Sequence, residues 1–172
     1  MRRLLKPRLM VEAVWQLDLE ELQRRGLRGL ILDLDNTLVN WNRSELRPEV
    51  LRWLEEAGRR RIAACIVTNG GQGPRLAAIA RAAGASCLPN AGKPFPRAYR
   101  AAMRKLGTGP STTAVIGDQV FTDMLGANLL GLDTILVQPF SSREFIGTRF
   151  VRLLERPLRN SWARRQTRGP RK

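Results

Sequence analysis

The sequence predicts an α/β protein built on a doubly wound parallel sheet, and three observations carry that prediction. Short runs of branched aliphatic residues alternate with amphipathic segments that open on proline and close near glycine. The strand-like runs are apolar throughout, as expected of strands covered on both faces. Each also ends in a polar, potentially reactive group: Asp33 and Asp35, then Thr68, then Asp118. In an open parallel sheet the carboxyl ends of the strands share one edge, so these groups can converge there.

The 172 residues suit one domain with a substantial core. Val11 to Trp15 and Leu17 to Arg25 read as a short helical lead-in ending at Gly26. Leu30 to Leu32 follows as a buried strand running into Asp33-Leu34-Asp35. After a loop to Arg47, Pro48 opens a helix through Glu56 that glycine should stop at Gly58. Ile62 to Val67 is the next strand, ending at Thr68-Asn69-Gly70-Gly71, and Pro74 to Ala83 the next helix, closed by Gly84. A short strand from Ala85 to Leu88 leads to the loop holding Lys93, and Pro96 to Leu106 is helical. Thr113 to Ile116 is a strand ending in Gly117-Asp118, a helix spans about Phe121 to Leu130, and Thr134 to Val137 is the last strand. The expected organisation is a basic arm with lead-in helix over 1–26, a core over 27–140 and a basic amphipathic segment over 141–172.

Composition excludes several function classes. The chain contains no histidine, which removes His-based triads, and its two cysteines, Cys65 and Cys87, have no metal-ligand spacing. Two small apolar-segment cysteines fit a reduced, cytoplasmic protein. No apolar run approaches the ~20 residues that span a bilayer. The N-terminus is basic without an apolar stretch behind it, which argues against a secretory signal. The net charge of +15 is uneven: residues 1–10 carry +4 and 149–172 carry +8, leaving a near-neutral core. Such arms seek a polyanion, either an anionic membrane or nucleic acid.

Two carboxylates at the end of a buried strand must face a ligand, because an isolated buried charge costs several kcal/mol unless it is paired or metal-bound. Asp33, Asp35, Thr68, Lys93, Asp118 and Asp123 together suit a divalent hard cation and a phosphoryl group. Taken singly, each has a plain alternative as a turn former, a solvated loop lysine or a first-turn helix acid.

In combination these residues resemble the haloacid dehalogenase-like phosphatase superfamily. The matching motifs, in order, are Asp33-Leu34-Asp35-Asn36-Thr37, the hydroxyl of Thr68, Lys93 before Pro94, and Gly117-Asp118 through Asp123. The resemblance implies a Rossmann-like sheet and a Mg²⁺-dependent phosphatase. Asp33 would be the nucleophile and Asp35 the general acid and base. Mg²⁺ would be held by Asp33, the Asp35 backbone carbonyl and Asp118. Thr68, Asn69 and Lys93 would bind the phosphoryl group, with Thr37 in support. Asp123 would be either part of the metal shell or an orienter of Lys93. The connections after Thr37 and before Lys93 are too short for a cap domain, as in capless subclass IIIA members, whose open sites take macromolecular or surface-held substrates.

More narrowly, residues 7–157 resemble the YqeG-type branch, which includes phosphatidylglycerophosphate phosphatases. A Thr stands at position 68 where that branch would have Ser. The branch implies an anionic phospholipid substrate and a peripheral position at the inner face of the membrane. Leu4, Leu5, Leu9 and Met10, and Phe145, Ile146, Phe150, Val151, Leu153, Leu154, Leu158 and Trp162, lie among basic residues. They either rest at an anionic interface or cover the domain's own core. A soluble phosphate ester, a phosphoprotein, a nucleic-acid end, or nucleic-acid binding without catalysis are the alternatives. Against nucleic acid, the arms offer few aromatics for stacking.

Overall fold

The apolar run Leu30–Leu32 lies at the centre of a sheet whose two faces are both covered, so every residue from Gly29 to Leu32 is buried. In the computed structural model, which describes residues 2–41, 43–140, 155, 157–159 and 162, six strands are present. They are β1 (Leu9–Val11), β2 (Gly29–Leu32), β3 (Ala63–Val67), β4 (Ser86–Leu88), β5 (Thr113–Gly117) and β6 (Asp133–Val137). Their order is β1-β6-β5-β2-β3-β4, and every neighbouring pair is parallel. The chain winds outward from β2 through β3 to β4, then returns to the other side of β2 for β5 and β6. The order therefore reverses between β2 and β5, the place where open α/β sheets leave a crevice.

Alternation of side chains along β2 builds the two layers. Leu30 and Leu32 join a core with Leu22, Val50, Trp53, Leu54, Leu76 and Ile79. After a short N-terminal helix, α1 (Arg2–Leu5), the partners come from α2 (Leu19–Arg24), α3 (Pro48–Arg59) and α4 (Pro74–Ala82). Ile31 points the other way, to Tyr99, Ala102 and Met103 of α5 (Pro96–Leu106) and to Ala127. Asp18 caps α2 through its carboxylate, which accepts from the Glu20 and Glu21 amides, and proline sits in the first turn of α3, α4 and α5. The Trp53 indole donates to the Leu17 carbonyl at 3.0 Å, tying α3 to the lead-in.

Three elements differ from the sequence expectation. Leu9–Val11 is an edge strand on β6, with Leu9 opposite Ile135 and Val11 opposite Val137, so Val11 ends a strand where the lead-in helix was expected to begin, and helix there starts only with Val14–Gln16, as a 3-10 turn. Three apolar residues carry no period that separates strand from helix, and only the open edge of β6 decides it. α3 continues through Gly58, where a glycine costs about 1 kcal/mol but need not end a helix, and the left-handed turn comes at Arg61. The helix expected from Phe121 begins as a π-helical turn, Val120–Met124, before α6 (Leu125–Asn128).

The described parts of both terminal segments pack on the domain. The Leu4 carbonyl accepts from the Asn128 amide at 2.7 Å, and Leu5 is buried with Val120, Met124 and Leu136. Leu158 and Trp162 pack against the same cluster. For Leu5, Met10, Leu158 and Trp162, cover of the domain's own core is what is found. Phe145, Ile146, Phe150, Val151, Leu153 and Leu154 lie outside the described residues. Among the described residues no helix is long and apolar enough to cross a membrane.

Candidate active site

The β2–β5 ladder extends one residue past the strand, because the Asp33 amide donates to the Ile116 carbonyl at 2.9 Å. This fixes Asp33 beside the end of β5, next to Asp118. The chain then turns at once. The Leu34 carbonyl accepts from the Leu38 and Val39 amides at 2.9 and 3.2 Å, and Asn36 takes the left-handed conformation (φ 64°) that asparagine tolerates. Asp35 is thereby carried to the wall of the crevice, while Thr37 is buried behind it.

Lys93 is placed by a loop laced to the end of β3. The Asn90 amide donates to the Gly70 carbonyl at 2.9 Å and the Ala91 amide to the Thr68 carbonyl at 3.0 Å. Asn69, expected at the substrate, lines the cavity and spends its amide on the Lys93 backbone. Its Oδ1 accepts from the Lys93 N–H at 2.7 Å and its Nδ2 donates to the Lys93 carbonyl at 3.1 Å. The Lys93 side chain, 4% exposed, then reaches inward, where Nζ donates to Asp33 Oδ1 at 2.6 Å and to Asp123 Oδ1 at 2.7 Å.

Asp123 is oriented from two sides. Its Oδ2 accepts from the Gln119 amide at 3.2 Å, and its carboxylate packs on Gly117, where a Cβ would collide with the Asp123 side chain. Glycine before Asp118 is thus required by volume and not by backbone conformation. The Tyr99 hydroxyl donates to the Thr122 carbonyl at 2.7 Å, anchoring the π-helical turn to α5.

The electrostatics follow from burial. Burial pushes the Asp33 carboxyl from 3.8 up to about 6, against the pull of Lys93, and Asp123 and Asp35 add to the rise. Burial alone would lower the Lys93 ammonium, but the Asp123 and Asp33 carboxylates outweigh it and hold it above its ordinary range. Lys93 is therefore a fixed cation at any pH near neutral.

One oxygen each of Asp33, Asp118 and Asp123 lie within 4.8 Å of one another, all buried. The Lys93 ammonium is shared between Asp33 and Asp123, and among the described residues Asp33 Oδ2 has no hydrogen-bond partner. An all-oxygen set of this kind fits a hard divalent cation such as Mg²⁺. Asp123 has both oxygens engaged, by Lys93 and by the Gln119 amide, so it serves the cluster by orienting Lys93.

These groups face a cavity of about 550 Å³ lined by Asp33, Asp35, Asn36, Trp41, Thr68, Asn69, Gly70, Lys93, Gln119 and Thr122. Thr68 Oγ1 accepts from the Gly70 amide at 3.0 Å, which leaves its hydroxyl hydrogen free to donate. The structure thus brings together Asp33, Lys93, Asp118 and Asp123, and lines the approach with Asp35, Thr68 and Asn69.

Three residues here escape the sequence reading. Arg75, in the first turn of α4, donates from Nη2 to Asp35 Oδ1 at 2.6 Å and from Nε to the Arg43 carbonyl at 2.8 Å. The pair is about 30% exposed on each side, and such a pair is worth about 0–1 kcal/mol. A cation in a first helical turn opposes the helix dipole, and that is the signal that could have singled it out. Glu155 is buried and accepts from the Val120 and Phe121 amides at 2.7 and 3.0 Å, capping the π-helical turn from outside it. Arg159 donates to the Asp118 carbonyl at 2.9 Å and to the Val137 carbonyl at 3.3 Å. A glutamate four residues before an arginine in a basic segment carries no sequence signal for such contacts.

Comparison with known proteins places this geometry. The family model of haloacid dehalogenase-like hydrolases matches residues 5–131. The chain is 34% identical over 165 residues to a probable phosphatase, YqeG, of Bacillus subtilis, covering 96% of this chain and 95% of that one. It is 28% identical over 176 residues to phosphatidylglycerophosphate phosphatase 1 of Arabidopsis thaliana, covering 95% of this chain but only 50% of that longer protein. The solved cobalt-bound deoxy-D-mannose-octulosonate 8-phosphate phosphatase of Haemophilus influenzae shares the fold with a TM-score of 0.55 at 16% identity, over 67% of this chain and 80% of that one. With its sheet, its carboxylate–lysine cluster and these matches, the chain belongs to the haloacid dehalogenase-like hydrolase family.

Proposed function

We propose that this protein is a Mg²⁺-dependent phosphomonoester hydrolase that works through an aspartyl-phosphate on Asp33, and that its substrate is phosphatidylglycerophosphate. The observation that carries the chemistry is the Lys93 ammonium held between Asp33 and Asp123, with Asp33 Oδ2 unpartnered among the described residues beside the cavity. An Asp33 oxygen attacks phosphorus in line, and the bond to the leaving alkoxide breaks. Asp35 gives that oxygen a proton, then takes one from the water that attacks phosphorus, freeing Asp33 and inorganic phosphate. Lys93 neutralises charge on the phosphoryl oxygens as they approach an anionic nucleophile. The Thr68 hydroxyl donates to the same oxygens. Asn69 serves by fixing the Lys93 backbone, and Asp123 by fixing its ammonium. Asp33 and Asp118 would hold Mg²⁺, which supplies charge neutralisation for a dianionic phosphoryl group.

Two observations support the lipid as substrate: the match to a phosphatidylglycerophosphate phosphatase over nearly all of this chain, and the basic terminal segments. The cavity has Trp41 at 41% exposure on its wall and Phe95 at 67% exposure two residues after Lys93, so apolar surface lies close to the site. On this reading the enzyme acts at an anionic membrane surface. The test is Mg²⁺-dependent phosphate release from phosphatidylglycerophosphate in detergent micelles, with a soluble aryl phosphate as comparator and Asp33→Asn as control. Preference for the lipid, abolished in the variant, is expected. Release from the aryl ester alone would discard the lipid, and release from neither would discard the phosphatase.

A further inference from the structure

Arg159 bridges the ends of two strands with the two arms of one guanidinium. Its Nη1 donates to the Asp118 carbonyl at 2.9 Å and its Nη2 to the Val137 carbonyl at 3.3 Å. The last rung between β5 and β6 pairs Gly117 with Leu136, so one step further in the same register sets Asp118 opposite Val137. The guanidinium thus takes both carbonyls where the two strands part, a planar two-point contact that a lysine cannot copy. One helical turn earlier, Glu155 Oε1 accepts from the Val120 and Phe121 amides at 2.7 and 3.0 Å. Residues 155 and 159 are both helical, and a spacing of four puts their side chains on one face. Leu158 and Trp162 hold the same segment to the domain through the core of Leu5, Val120, Met124 and Leu136.

Between these anchors runs the backbone that carries Asp118 and turns toward Asp123. The Gln119 amide donates to Asp123 Oδ2 at 3.2 Å, and the Gln119 carbonyl accepts from the Asp123 amide at 3.0 Å. Each residue from Asp118 to Phe121 therefore has a backbone group fixed by Arg159, by Asp123 or by Glu155. A ligand to a cation works only when held within about 0.5 Å of its place, and the groups that hold it govern affinity. We propose that Arg159 and Glu155 are positioning residues of the active site: by fixing the Asp118 backbone and the turn after it, they set the affinity for the divalent cation. The inference rests on the reading of this cluster as the cation site of a phosphatase, and adds to it two residues that act through Asp118. The sign of the effect separates positioning from charge. Arg159 is itself a cation beside a cation site, so if charge were its whole effect, removing it would tighten divalent binding. If it positions Asp118, removing it weakens binding. If it only supports the fold, stability falls and affinity stays.

The experiment titrates Mg²⁺ or Mn²⁺ alone, without substrate, into the wild-type protein, Arg159→Met, Arg159→Lys, Glu155→Gln and Trp162→Ala. Calorimetry reads Kd at a temperature well below the Tm of each protein in chelator. Arg159→Met should raise Kd for both ions at least about 10-fold, as expected for a group that orients a metal ligand. Arg159→Lys keeps the charge but loses the two-point contact, so it should weaken binding by less, and it carries the test if Arg159→Met does not fold. Glu155→Gln keeps an acceptor and should change Kd in the same direction by a smaller factor. Trp162→Ala removes apolar cover from the segment but neither anchor, so it should lower Tm and leave Kd unchanged. In phosphomonoester assays the Arg159 variants should need correspondingly more Mg²⁺ for half-maximal rate, with KM for the ester unchanged once Mg²⁺ saturates. Unchanged or tighter binding in the Arg159 variants, or an equal loss in Trp162→Ala, overturns the inference and leaves the phosphatase reading in place. A wild type that binds neither ion removes the cation site, and the inference with it. Weaker binding in the Arg159 variants of a protein that hydrolyses no phosphomonoester keeps the inference and discards the phosphatase.

Discussion

Replacing Asp33 by asparagine should stabilise the metal-free protein while abolishing its activity. The Asp33 carboxyl is pushed from 3.8 to about 6 by burial, so above pH 6 the folded chain carries an ionised group that it would rather hold neutral. The difference corresponds to about 3 kcal/mol, which asparagine, the isostere of the protonated acid, recovers. Between pH 3.8 and about 6 the folded chain keeps a proton that the unfolded chain has lost. Asp33 therefore favours folding below pH 3.8, and that contribution is lost as pH rises through about 6. The advantage of Asp33→Asn should accordingly be near zero at pH 3.5 and reach about 3 kcal/mol at pH 7.5, or about 6–12 °C in Tm for a chain of this size. Urea denaturation in chelator at several pH values reads it directly. Added Mg²⁺ should narrow the gap, since 100 times its Kd contributes about 2.7 kcal/mol to the wild type and less to a variant missing a ligand. A variant no more stable than wild type at pH 7.5 without metal, or a gap that does not vary with pH, would refute the reasoning.

Other perturbations follow from the same geometry. Gly117→Ala inserts a Cβ against the buried Asp123 carboxylate, so it should break the contact with Lys93 and cost about 3 kcal/mol, close to that of breaking a buried pair; chemical denaturation checks this, and a change below about 1 kcal/mol contradicts it. Lys93→Met leaves two buried carboxylates, Asp33 and Asp123, without their ammonium, and kcat on any monoester should fall at least about 100-fold in steady-state assays. Glu155→Ala strands the Val120 and Phe121 amides and should cost about 2–4 kcal/mol, with Glu155→Gln costing less because it keeps an acceptor; equal costs would show that the cap is not the reason.

Legibility in the sequence tracked how local the determining physics is. Strands β2, β3, β5 and β6 each contain a run of three or more apolar residues, because both faces of a parallel sheet are covered, and that signal needs no partner to be seen. The convergence of Asp33, Lys93, Asp118 and Asp123 was legible for a related reason: parallel topology alone brings strand ends to one edge. β1 was hidden, since a three-residue segment becomes a strand only because β6 offers an open edge. Arg75 and Asp35 are 40 residues apart, and Glu155 and Val120 are 35 apart, so neither pair leaves a period or motif. Asn69 was visible as a site residue but not its task, which depends on a loop 24 residues away folding back onto it. The apolar residues of the arms showed the reverse difficulty: a face that covers the protein's own core has the same pattern as one that meets a membrane.

The central claim is that phosphate passes through Asp33, and the most direct measurement is to trap it there. The protein with Mg²⁺ and excess phosphomonoester would be acid-quenched, reduced with borohydride and digested, and the peptide holding Asp33 and Asp35 sequenced by mass spectrometry. An acyl phosphate is reduced where a free carboxylate is not, so the account predicts reduction at Asp33 alone, dependent on substrate and Mg²⁺. Phosphate release without any reduction at Asp33, or with reduction at Asp35 instead, would contradict it.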